Sequence, residues 1–162
     1  MLKKFRPCAG AVVFNKYGCI LLCNRNDTRS DAWQFPQGGI ESNETALEAA
    51  KRELFEETSI VSVDPVYTDN ESKKYEFTED IKSNFRKRGI FNDGQDICFT
   101  LFYFYGEDNE INLNTKQPEF REYKWSNFEF AVENIVDFKK DVYSATAQKF
   151  EPIIRQYLEK LS

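Results

Sequence analysis

One stretch constrains the fold of this chain more than any other: residues 97–105, Ile-Cys-Phe-Thr-Leu-Phe-Tyr-Phe-Tyr. The run is aromatic and apolar at both odd and even positions, so it lacks the alternation of a strand with one wet face. It reads as a central strand. Residues 8–15 (CAGAVVFN) and 19–24 (CILLCN) read as two more strands, joined by the turn signal Asn15-Lys16-Tyr17-Gly18 into a hairpin. Residues 26–32 are polar and read as loop, and 33–36 as a short extended piece stopped by Pro36 and Gly38-Gly39. Residues 45–58 give the clearest helix. Thr45 and Glu48 match a capping box, and Ala46, Ala49, Ala50 and Leu54 form an apolar stripe. Residues 61–67, 74–78 and 123–125 are expected as strands, 79–93 and 107–121 as charged or polar loops. Residues 127–135 are expected to hold a short helix and 137–161 a long one, bent near Pro152. Strands around one central helix, with a second helix at the end, predict a single α/β (α+β) domain over 1–162, its mixed sheet lying between helical layers.

Composition excludes several chemistries. The chain has no histidine, which removes the commonest general base, every Ser-His triad and every Cys-His dyad. Hydrolysis here must use carboxylates, lysine, tyrosine or metal. Cys8, Cys19, Cys23 and Cys98 lack the paired spacing of a zinc site and are expected as reduced thiols. A formal net charge of -5 argues against extended binding of duplex nucleic acid. No signal-peptide h-region and no apolar run of about 18 residues is present, so a cytoplasmic protein without a membrane span is expected.

The chemistry is carried by Arg52-Glu53-Leu54-Phe55-Glu56-Glu57. On a helix, spacings of three and four put Glu53, Glu56 and Glu57 on one face. Three like charges repel there, and a hard cation such as Mg²⁺ or Mn²⁺ turns the repulsion into attraction. Taken alone, the pattern equally fits a solvated acidic helix face.

Its context is distinctive. Gly38, Glu44, Arg52, Glu53, Glu56 and Glu57 stand at spacings that resemble the Nudix box, with Ser59 where that family usually has glycine. Trp33-Gln34-Phe35-Pro36-Gln37-Gly38-Gly39, Phe5-Arg6-Pro7, Gly94-Gln95, Pro118-Glu119-Phe120, Trp125 and Phe138-Lys139-Lys140-Asp141-Val142-Tyr143 resemble, in order, landmarks of bacterial RNA pyrophosphohydrolases and dinucleoside polyphosphate hydrolases. The 69–93 segment matches poorly, and Asp96 replaces a usual lysine.

The resemblance implies a Nudix-type α/β/α sandwich and attack of water on phosphorus assisted by more than one Mg²⁺ or Mn²⁺. It implies Glu53, Glu56, Glu57, the Gly38 carbonyl and Glu119 as metal ligands. Glu53 or Glu57 would orient the attacking water, which leaves the general base open. Arg52 joins the catalytic group by orienting the carboxylates, and Glu44 pins the loop. Arg6, Arg25 and Lys139 would meet phosphate, Phe138 would stack on a base, and Tyr75 would lie near the phosphates. The implied substrates are a 5′-polyphosphorylated RNA end, whose trimming promotes mRNA decay, or a dinucleoside polyphosphate; a protein activator is left open. A non-catalytic nucleotide or RNA sensor fits less well, because all three glutamates are kept.

Overall fold

The computed structural model describes residues 2–26 and 32–162. The polar 26–32 stretch therefore lies, at 27–31, outside the described residues. The described strands are β1 (Phe5–Phe14), β2 (Ile20–Arg25), β3 (Trp33–Gln34), β4 (Gln37–Gly39), β5 (Val63–Thr68), β6 (Lys73–Glu76), β7 (Gly94–Phe104) and β8 (Phe120–Ser126). The helices are α1 (Ala46–Thr58), α2 (Glu79–Lys87), α3 (Phe128–Asn134) and α4 (Lys140–Leu161), with 3₁₀ turns at Asp108–Glu110 and Asp137–Lys139.

The aromatic run lies in β7, at the centre of one mixed sheet. Parallel β1 pairs along it in the register Cys8↔Ile97 to Phe14↔Tyr103, while β5 and β6 share its other edge antiparallel. Side-chain alternation then builds two cores. On one face Cys8, Val12, Phe14, Ile97, Phe99 and Leu101 pack with Tyr143, Phe150 and Ile154 of α4. On the other, Ala9, Ala11, Val13, Phe102 and Phe104 pack with Ala49, Ala50 and Leu54 of α1. The expected sandwich of helices around a mixed sheet is thus observed. Small alanines on β1 and α1 let that helix lie close to the sheet.

The expected hairpin is joined only at its base, through Phe14↔Ile20. Further along, β4 takes the place beside β1, with Cys8↔Gly39 and Gly10↔Gln37. This brings Gly38 and Gly39 to the strand that carries Arg6.

Three expectations need correction. Residues 79–93 are not all loop, because α2 occupies Glu79–Lys87. Thr78 caps it by accepting from the Ile81 N–H, acids fill its first turn and Arg86 and Lys87 its last, as the helix dipole favours. The long helix begins at Lys140 after the 3₁₀ turn and runs unbroken through Pro152. The short strand at 123–125 extends to Phe120–Ser126, because β2 pairs with it from Ile20 to Arg25. The four cysteines are free thiols, Cys8 and Cys23 buried. No helix among the described residues is long and apolar enough to cross a membrane.

Candidate active site

Helix α1 is fixed at both ends. The Glu48 N–H donates to Thr45 Oγ1 at 3.1 Å and the Thr45 N–H to Glu48 Oε1 at 2.9 Å, completing the expected capping box. At the other end Ser59 adopts a left-handed conformation, φ 68°, where the family's glycine would sit without strain. Its hydroxyl donates to the Asn112 carbonyl at 2.9 Å.

Between these ends the three glutamates share a helix face but not an environment. Glu57 is buried at 5% exposure, the Glu53 side chain is 14% exposed and the Glu56 side chain 54%. Gly38 is what admits Glu53, since a Cβ there would overlap its carboxylate. Burial, followed by the charges of Glu119 and Glu53, pushes Glu57 up to about 10. Burial also raises Glu53, against the pull of Arg52.

Arg52 holds this arrangement together. Its Nε and Nη2 donate to Glu44 at 2.6 and 2.9 Å, Nη2 also to the Gly39 carbonyl at 2.9 Å, and Nη1 to Glu53 at 2.8 Å and Glu56 at 3.3 Å. All N–H directions of the guanidinium are thereby engaged. Arg52 positions the carboxylates and has no donor left for a substrate. Glu44, pinned at about 2 by Arg52, also accepts from the Glu41 N–H and so ties the loop.

Glu119 arrives from far along the chain. The segment before β8 is clamped at both ends. Asn112 N–H donates to the Thr58 carbonyl at 2.9 Å, and Glu110 accepts from the Val61 and Ser62 N–H groups. At the far end the Asn26 N–H donates to the Glu119 carbonyl at 2.7 Å. Between the clamps, Thr115, Lys116 and Gln117 join Phe55, Ser59 and the glutamates around a cavity of about 580 Å³. A second cavity of about 520 Å³ is lined by Arg6, Arg25, Gln37, Gly38, Phe85 and Gln95. Glu53 and Glu119 belong to both. The structure therefore gathers Gly38, Glu53, Glu56, Glu57, Glu119, Arg6 and Arg25 around one cleft.

Phe138 and Lys139 line neither cavity. Phe138 is half-buried in an aromatic cluster, 5.7 Å from Tyr75 and 6.3 Å from Phe77 between ring centroids. Lys139 is 7% exposed, with its ammonium 5.1 Å from the Tyr75 ring centre. Burial and then the Arg25 charge lower it to about 8. The Tyr75 hydroxyl donates to Gln95 Oε1, so Lys139 and Tyr75 stand behind a residue of the second cavity. Sequence reading missed Phe85, Lys116 and Gln117 as lining residues, and had Gln95 only as part of the Gly94-Gln95 landmark. Phe85 had a visible signal: Ile81 and Phe85 are four apart behind a Thr-Glu-Asp helix start.

The residues fit a hard divalent cation. Both oxygens of Glu57 are buried and meet no well-formed hydrogen bond among the described residues, and the groups able to ligate a cation around them are carboxylate and carbonyl oxygens. Among the described residues no three acidic or thiol side chains form a ready-made cage, so water oxygens would complete the coordination sphere. A bound divalent ion lowers the pKa of its water and screens phosphate charge. Glu53 and Glu119, at the junction of the cavities, can orient water, and Arg6 and Arg25 can grip phosphate oxygens.

An acidic helix facing a glycine loop, on a mixed sheet between helical layers, defines the class: the NUDIX domain matches residues 4–146, and the chain belongs to the Nudix family. Nudix hydrolases generally need divalent metals. The likeness extends to particular relatives. An RNA pyrophosphohydrolase of Wolbachia pipientis subsp. Culex pipiens is 37% identical over 154 residues, covering 94% of this chain and 93% of that protein. One from Roseobacter denitrificans is 38% identical over 149 residues, covering 91% and 92%. Among solved structures, the E. coli dihydroneopterin triphosphate pyrophosphohydrolase aligns with a TM-score of 0.67 at 18% identity, over 91% of this chain and 99% of that one. That last likeness concerns the fold alone.

Proposed function

We propose that this chain, acting as one domain over 1–162, hydrolyses phosphoric anhydride bonds at the 5′ end of triphosphorylated or diphosphorylated RNA. It releases pyrophosphate, or successive phosphates, and leaves a 5′-monophosphate, a change that promotes mRNA decay in the cytoplasm. One observation carries the reading: Glu53 and Glu119 sit where a carboxylate-rich cavity meets one lined by Arg6 and Arg25. A polyphosphate laid across that junction meets metal on one side and guanidinium on the other. The relatives named RNA pyrophosphohydrolase support RNA as the bearer of that polyphosphate.

In this reading Glu53, Glu56, Glu57, Glu119 and the Gly38 carbonyl hold Mg²⁺ or Mn²⁺, with more than one ion. Glu53 or Glu57 orients the attacking water. Lys139 acts through its charge, and Phe138 supports the aromatic wall. The test is release of label from a γ-labelled 5′-triphosphate RNA with Mg²⁺ or Mn²⁺, against a Glu53→Gln control. Release above control is expected. A kcat/KM for diadenosine tetraphosphate well above that for RNA would move the assignment to the dinucleotide reading.

A further inference from the structure

Helix α2 carries charge that neither the catalytic cleft nor the fold accounts for. The chain is acidic overall, yet Lys82-Ser83-Asn84-Phe85-Arg86-Lys87-Arg88 holds four cations and no acid. Two of the four anchor the helix. Lys82 is buried, 2.5 Å from Glu76 and 4.0 Å from Asp93, and Arg86 lies 3.2 Å from Asp93. Phe85 adds an aromatic contact, its ring 5.2 Å from that of Phe77.

The other two, Lys87 and Arg88, are exposed, and no ion pair among the described residues engages either. The Arg88 guanidinium lies 6.0 Å from the centre of the Phe85 ring. Phe85 itself lines the cavity that holds Arg6, Arg25 and Glu53. An aromatic ring beside the Arg88 guanidinium, on a helix that reaches the cavity lined by Arg6 and Arg25 and carries the exposed Lys87 beyond it, matches how single strands are held: bases stack and the backbone follows positive charge.

We propose that α2 is the platform for the body of the RNA, downstream of its 5′ end: Phe85 stacks a nucleobase, and Lys87 and Arg88 take backbone phosphates. The inference rests on the RNA reading above and deepens it. It makes Phe85, Lys87 and Arg88 determinants of preference for a strand over a free nucleotide. Stacking on Phe85 tolerates any base, so the preference concerns length and not sequence.

The test compares a triphosphorylated dinucleotide with a triphosphorylated single strand of about ten nucleotides. In Lys87→Glu/Arg88→Glu, kcat/KM for the longer RNA falls about tenfold and that for the dinucleotide, which does not reach α2, stays within about twofold; the salt dependence of binding to the longer RNA falls with each lost phosphate contact. Phe85→Leu, which keeps an apolar contact with Phe77, lowers the longer substrate about three- to tenfold. Equal effects of the Lys87/Arg88 charge reversal on both substrates, or none on either, overturn the platform. Anisotropy of labelled 5′-monophosphate RNA provides a readout without turnover. Wild-type protein that fails to hydrolyse RNA defeats the functional reading, and the platform then stands or falls on whether charge reversal weakens this binding. Displacement of the RNA by polyglutamate as readily as by unlabelled RNA marks a general acidic-ligand surface and also overturns it.

Discussion

Lys139 carries an unfavourable charge into the core. Its ammonium faces the Tyr75 ring and the Arg25 charge, with no carboxylate partner among the described residues. Its folded value of about 8 lies below the ordinary 10.5, so the unfolded chain holds the proton more tightly. Below pH 8 the folded protein bears this cost in full, and the cost is relieved as pH rises from 8 toward 10.5. Lys139→Met is therefore expected to stabilise the protein by roughly 1–3 kcal/mol at neutral pH. The gain shrinks above pH 8, as urea titrations across pH will read, while KM for RNA rises. Ser59 makes a smaller compromise. Its left-handed backbone is offset by the hydroxyl bond to Asn112. Ser59→Gly is expected to stabilise by about 0.5 kcal/mol, and Ser59→Ala, which keeps the strain and loses the bond, to destabilise by about 0.5–1 kcal/mol. Thermal melts of the two variants will differ in sign.

Helix α1 was legible because its determinants are local: the Thr45–Glu48 box, the alanine stripe and the glutamate spacing all lie within one element. Helix α2 was hidden because its apolar face is little more than Ile81 and Phe85, and the acids that neutralise Lys82 and Arg86, Glu76 and Asp93, lie just outside the helix where a charge-rich segment reads as loop. Glu119 stood out only through resemblance, since the Asn26 bond that places it spans most of the chain. The Arg52 fan could be guessed in role but not in completeness, because Gly39 and Glu44 meet it only after β4 docks on β1. Arg52→Lys cannot reproduce a fan across Glu44, Gly39, Glu53 and Glu56. It is expected to lower kcat about 10–100-fold with little change in KM, measured under steady-state conditions with saturating metal.

Over the whole molecule, the sheet holds like charges together until a cation relieves them. Without metal, folded Glu57 holds its proton up to about pH 10, whereas the unfolded chain releases it from pH 4.5, so stability falls as pH rises from 4.5 toward 10. A divalent ion reverses that preference. Mg²⁺ or Mn²⁺ at about one hundred times Kd is expected to raise stability by ~2.7 kcal/mol, or about 5–10 °C in Tm. Glu57→Gln should match or exceed the wild-type melting temperature without metal and lose most of the rise with it. Differential scanning calorimetry in EDTA and in Mg²⁺ separates the two effects.

The clamped segment before β8 has a consequence of another kind. Asn112 is bonded to the end of α1 and Glu119 to the end of β2, so the ends of this span are set by the scaffold. Thr115, Lys116 and Gln117 roof the cavity without anchoring a glutamate. The span behaves as a lintel. Inserting or removing residues between its ends would reshape the mouth of the cavity and leave Glu53, Glu56 and Glu57 where α1 holds them.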